Sequence, residues 1–162
     1  MSASATTFQA IGVIHTPFAQ MSGTPIQGVF APDSAGPVEV FEEFAEGLRD
    51  VEQFSHLYLL YAFHRRERMA LTCVPFLDDK SHGVFATRAP CRPNAIGLSI
   101  VRLLSRDGRR LRVAEVDIVD GTPLLDIKPY VPEFDAQVEV RTGWLEKTRK
   151  TVSSRKSDDR FK

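Results

Sequence analysis

The chain has 162 residues, 43% of them hydrophobic and 26% charged, with ten Gly and ten Pro; this suits one globular domain and excludes a disordered or collagen-like chain. Lys and Arg equal Asp and Glu at 21 each, which excludes a uniformly basic nucleic-acid coat. The zero joins unlike parts: residues 141–162 hold eight Lys/Arg against three Asp/Glu, a net +5, which leaves −5 on residues 1–140.

The opening residues Met1–Thr7 have neither a basic stretch nor an apolar run, so no signal peptide is expected. No apolar run approaches the roughly 18 residues that span a bilayer, and no membrane association is expected. All ten prolines fall between Pro17 and Pro132 and cut that stretch into short pieces, which favours strands over helices. Phe8–His15 is rich in β-formers, and Pro37–Phe41 alternates with period two. Phe44, Leu48 and Val51 are spaced for a short amphipathic helix over Phe44–Glu52. Ser55–Phe63 reads as a buried strand by its aromatic and aliphatic density. Gly97–Leu103 and Leu111–Ile118 read as strands joined by a hairpin turn at Arg106–Arg109, and Leu124–Ile127 as another strand. Arg141–Lys150 is the second candidate helix. Short strands between turn signals predict a mainly β fold, a small single-domain antiparallel barrel or sandwich with one or two short helices. The basic end reads either as a solvated tail or as an arm for RNA or another partner.

Several chemistries are absent by pattern. No two glycines lie at GxG spacing, so neither a Rossmann fingerprint nor a P-loop occurs, and GxSxG and HExxH are missing too. Cys73 and Cys91 form no CxxC, so no metal site is expected, and two isolated thiols fit a cytoplasmic location.

Two segments differ from ordinary core. In His82–Ser99 (HGVFATRAPCRPNAIGLS), Arg88 and Arg92 sit on Pro-punctuated, extended backbone, as an anion clamp or as plain surface arginines. In Asp117–Pro132 (DIVDGTPLLDIKPYVP), Asp117, Asp120 and Asp126 crowd an apolar run and each needs a partner. Asp120-Gly121 is also a turn signal, and Asp126 with Lys128 reads as a buried pair on one strand face. His56 reads as a core histidine, and His64–Arg68 as a solvated charge run.

These two blocks, with AIGVIHTPF and FSHLYLLYAFH in order and spacing, resemble the TsaA-like (TrmO) family over about Ile11–Asp135. The resemblance implies a TsaA-like β-barrel over residues 8–140, followed by a basic C-terminal helix or tail over 141–162. It implies S-adenosylmethionine (SAM) bound without a Rossmann fold, a homodimer, and methylation of tRNA at N6 of threonylcarbamoyladenosine 37. Carried over by position, the loop residues Gln27, Gly28 and Val29 would hold the cofactor, with Ile26 in place of the family's usual Arg. His56 and Leu57 match a cofactor-contacting pair, Arg88 an Ala-Thr-Arg block, and Leu98 the apolar residue after Ile-Gly. Asp117, Ile118, Val119, Asp120, Gly121 and Thr122 match the last cofactor block, with Asp120 the candidate base. Arg65, Arg66, Arg92, Asn94 and Lys128 are the residues expected to meet RNA. The alternatives are a SAM-using methyltransferase acting on another RNA or a small molecule, and a non-catalytic SAM-binding module.

Overall fold

The computed structural model describes residues 5–147 and 156–161. Its strands are β1 (Gly12–Ile14), β2 (Ala35–Val40), β3 (His56–Ala62), β4 (Thr72–Cys73), β5 (His82–Gly83), β6 (Ile96–Asp107), β7 (Arg110–Ala114) and β8 (Thr122–Pro129). Six of them form one antiparallel sheet in the order β1-β2-β7-β6-β3-β8, and β8 pairs back onto β1, so the sheet closes into a barrel. β4 and β5 form a separate short pair.

Side-chain alternation builds the barrel interior. In β3, Leu57, Leu59 and Tyr61 point inward and are buried, while the residues between them are half-buried. In β6, Gly97, Ser99 and Val101 point inward, and Ile96, Leu98 and Ile100 face out. Ile14, Val38, Val40, Leu111, Val113 and Leu124 complete the core. Gly97 pairs with Tyr61 across β3 and β6. A Cβ there would run into the Tyr61 ring, so only glycine lets the ring lie across this strand.

The strands expected from pattern are present with shifted ends. The hairpin turn between β6 and β7 is the two residues Gly108–Arg109. β7 stops at Ala114, short of the expected Ile118, because Glu115 adopts the left-handed conformation (φ 67°). Arg102 Nε holds the Glu115 carboxylate at 3.2 Å. The helix expected over Phe44–Glu52 is instead two 3-10 turns, Glu42–Leu48 and Val51–Gln53, separated by left-handed Asp50. Phe44, Leu48 and Val51 still pack on the core, so the amphipathic spacing was right and the helix type was not. Part of the second candidate helix is a 3-10 turn, Gly143–Lys147, and its remainder, 148–150, lies outside the described residues. The helix α1 (Pro132–Asp135), with Pro at its start, was not anticipated. Among the described residues no helix is long and apolar enough to cross a membrane.

The basic end is docked where it is described. Ser157 bonds through its hydroxyl to the Thr24 carbonyl at 2.9 Å and also reaches the Met21 carbonyl. Arg160 donates to the Pro75 carbonyl at 2.7 Å, and its guanidinium lies over the Phe76 ring. Phe161 is buried in a second small core with Val84, Ala89 and Cys91. Residues 156–161 are therefore part of the fold and not a solvated tail.

Candidate functional site

Antiparallel register gathers the site. Ile14 at the end of β1 faces Thr122 at the start of β8, and Ala62 at the end of β3 faces Ile96 at the start of β6. The loops leaving this rim enclose a cavity of about 280 Å³, which Ser157 helps to wall.

At its base lies a chain of polar groups. Ser99 donates to Asp117 Oδ1 at 2.6 Å, so its own oxygen accepts from the Tyr61 hydroxyl 3.0 Å away. The backbone N–H of Gly28 donates to Asp117 Oδ2 at 3.2 Å. A Cβ on Gly28 would run into the Glu115 carbonyl, so glycine is what lets this loop approach the carboxylate. Burial pushes the Asp117 carboxyl above its usual pKa, opposed by these donors and by the Arg88 charge. Burial also pushes the Tyr61 phenol well above its ordinary range. No cation forms an ion pair with Asp117 among the described residues.

Arg88 stands on the cavity wall, its guanidinium donating to Gln27 Oε1 at 2.7 Å, and no carboxylate pairs with it among the described residues. His64 also lines the cavity. Its Nδ1 lies 3.2 Å from Thr122 Oγ1, whose proton goes to the Val119 carbonyl at 2.6 Å. The hydroxyl must then accept from His64 Nδ1–H, which leaves Nε2 as the unprotonated nitrogen. Burial lowers the His64 pKa below its ordinary value, the Arg65 charge adds to this, and Asp120 opposes it.

Of the residues expected to hold cofactor, Gln27, Arg88, Leu98, Asp117, Ile118, Val119 and Thr122 line this cavity. Gly28 stands behind it through Asp117, and Val29 lines a neighbouring cleft. Gly121 gives its N–H to the Ile14 carbonyl. Asp120 accepts from the Thr16 N–H at 3.0 Å, lies 3.5 Å from His15 Nδ1, and is not among the lining residues. His56 and Leu57 are away from the cavity: His56 contacts Ser55 and the edge of Tyr130, and Leu57 is in the barrel core. Phe63 and His64, just past the other end of that strand, line it instead.

Arg65, Arg66 and Arg92 reach the cavity; Asn94 and Lys128 do not. Arg92 is engaged in bracing its own loop, donating to the Val84 and Thr87 carbonyls at 3.1 and 2.7 Å. Arg65 donates to the Ala19 carbonyl, and Arg66 to that of Arg92. Lys128 pairs with Asp126 at 2.8 Å as expected, but on the exposed surface and not in the interior. Tyr61, Ser99, His64 and Ser157 were missed. The first two sit at inward strand positions that read as core, and His64 sits in a run that read as solvated charge. Among the described residues no group of three or more His, Cys, Asp or Glu is placed to hold a metal.

The donor set suits a cationic ligand with an apolar part. Among the described residues Asp117 is a buried carboxylate hydrogen-bonded by neutral donors, the Arg88 charge acts on it without an ion pair, and Ile118 and Leu98 supply apolar surface. SAM carries a cation and an apolar base, so the residues present fit it.

Comparison with known proteins agrees in extent with this architecture. The family model of the tRNA-methyltransferase O N-terminal domain matches residues 13–136. A probable S-adenosyl-L-methionine-binding protein of Pyrococcus abyssi is 54% identical over 95% of this chain and 84% of its own length. The human tRNA (adenine(37)-N6)-methyltransferase is 34% identical over 82% of this chain, which spans 32% of that protein. The crystal structure of TrmO from Pseudomonas aeruginosa superposes with a TM-score of 0.74 at 39% identity, covering 87% of this chain and 63% of that one. With most of its length matched by that model, the chain belongs to the family of tRNA-methyltransferase O N-terminal domains, the TsaA-like (TrmO) family.

Proposed function

We propose that this chain transfers the methyl group of SAM to N6 of threonylcarbamoyladenosine at tRNA position 37. Family membership, with relatives named as SAM-binding proteins and as tRNA (adenine(37)-N6)-methyltransferases, supports a SAM-dependent tRNA methyltransferase. The observation that carries the reading to these residues is the cavity that holds the buried Asp117 carboxylate without an ion pair among the described residues, beside apolar Ile118 and Leu98.

SAM supplies an electrophilic methyl on a sulfonium. Asp117 offers its carboxylate to the cationic part of the cofactor, and Gly28 and Ser99 hold that carboxylate in place. Arg88, oriented by Gln27, is left for an anion of the acceptor. Ile118 and Leu98 give the adenine its apolar surface. The acceptor nitrogen belongs to a urea-like group and is a weak nucleophile, so alignment and removal of its proton matter. His64 Nε2 is the unprotonated nitrogen available for that proton. Asp120, the base expected from the sequence, acts in this reading through its charge on His64. Arg65 and the basic end supply phosphate contacts to RNA. A homodimer is supported by the outward face of β6, where Ile96, Leu98 and Ile100 are exposed.

The deciding experiment incubates the protein and SAM with tRNA lacking this methylation and examines the nucleosides by mass spectrometry. A gain of one methyl on threonylcarbamoyladenosine is expected. SAM binding with no methylated nucleoside would leave a binding module and overturn the reading.

A further inference from the structure

A second cleft, of about 680 Å³, adjoins the first and shares Ile26, Gln27, Phe76, Thr87 and Arg88 with it. Its chemistry is different. Phe85 reaches into it while 76% exposed. Trp144 forms another wall, fixed by its Nε1–H on the Ala86 carbonyl at 2.9 Å and by stacking on His82 with centroids 4.8 Å apart. The Arg92 guanidinium lies 5.9 Å from the Phe85 ring centroid. Arg88 stands on the shared wall, with no carboxylate paired to it among the described residues.

An exposed aromatic ring on the edge of a cleft wants a flat partner, and a guanidinium with no carboxylate partner among the described residues wants an anion. A purine nucleotide brings both. An apolar protein segment would cover Phe85 but leave Arg88 desolvated without an anion, a costly outcome.

We propose that this aromatic cleft binds the acceptor purine nucleotide of the RNA, stacked on Phe85 with an anionic group on Arg88. The assignment rests on the methyl-transfer reading and divides the labour between neighbouring compartments, carboxylate-based for the donor and aromatic for the acceptor. The anion is either the carboxylate of the modified base or a backbone phosphate.

Trp144 is the only tryptophan in the chain, so it reports directly on this cleft. The full chain, saturated with SAM, is titrated with an anticodon stem-loop RNA carrying threonylcarbamoyladenosine and with the unmodified stem-loop. Saturable quenching of Trp144 fluorescence is expected. Tighter binding of the modified RNA identifies the carboxylate as the anion, and equal binding identifies the phosphate. Phe85→Ala should raise the RNA Kd about tenfold, as loss of one stacked base does. It should leave the SAM Kd within about twofold, because Phe85 is not in the first cavity. Phe85→Tyr should restore RNA affinity. An unchanged RNA Kd in Phe85→Ala overturns the proposal, as does a change of oligomeric state with RNA affinity intact, which would make the cleft a contact between copies. Methylation at wild-type kcat/KM in Phe85→Ala defeats the cleft and leaves the methyl-transfer reading standing. Phe85-dependent RNA binding without methylation does the reverse.

Discussion

Asp117 is a buried carboxylate that forms no ion pair among the described residues, with only the Arg88 charge acting on it from the cavity wall. Ser99 and Gly28 satisfy its lone pairs, but both are neutral donors, so the burial cost is met only in part. Asp117→Asn should therefore keep or raise the melting temperature at pH 7. It should weaken SAM binding at least tenfold by calorimetry, since hydrogen bonds to charged groups contribute about 1.5–3 kcal/mol. The linkage sign follows from the raised folded pKa: Asp117 favours the fold below its unfolded pKa, and that contribution fades as pH rises through the folded value. His64 has the opposite sense. Its folded pKa lies below the ordinary 6.5, so the imidazole is neutral at pH 7 and gains its proton only in more acidic solution. If it takes the acceptor proton, kcat stays level through neutral pH and falls as pH drops below 6.5 toward that lowered pKa. His64→Gln should remove that limb and lower kcat about a hundredfold. A limb that survives in His64→Gln would assign it to another group.

At the scale of elements, local pattern made the strands legible in the sequence: period-two alternation at Pro37–Phe41 marked β2, and aromatic and aliphatic density at Ser55–Phe63 marked β3. What it could not give was the departures from regularity that shape the site. Glu115 is left-handed where Arg102 holds its carboxylate and the Gly28 loop packs on its carbonyl, partners that are distant in sequence. The blocks 82–99 and 117–132 marked the right loops, and Arg88 and Asp117 emerged on the cavity. His56 and His64 lie near opposite ends of one stretch, and which of them reaches the rim depends on strand direction within the closed sheet. The C-terminal segment was least legible, because its basic composition resembles a solvated arm. Phe161, Ser157 and Arg160 nonetheless tie it down through contacts 70 or more residues distant in sequence. Phe161→Ala should cost about 3 kcal/mol by denaturant titration, as for other buried phenylalanines. SAM affinity should fall with it, because Ser157 and the loop at Thr24 lose their anchor. Loss of stability with unchanged SAM binding would show that the segment braces the fold without forming the site.

At the scale of the molecule, the neutral total divides into an acidic body and a basic end, and part of that end is engaged by the body itself. The backbone of Lys156 pairs with that of Pro25, its side chain staying exposed, and Arg160 is held by Asp158 and the Pro75 carbonyl. The outward face of β6 offers an apolar surface beside the candidate site. If two copies meet there, Ile100→Glu should yield a monomer by light scattering while the barrel stays folded, since Ile100 contributes nothing to the core. A dimer that persists in Ile100→Glu would move the contact elsewhere. The closed ring of pairings has one more consequence. Each of the six barrel strands has a hydrogen-bonded neighbour on both sides over at least part of its length, and the stretches paired on one side only are short: β6 before Arg102 and β8 after Leu124 are each paired with β3 alone. Closure thus removes the long open edges on which recruitment by strand addition, and the edge-to-edge stacking that seeds fibrils, depend. Association through side chains on the outer faces is favoured instead and can be tuned there by single substitutions.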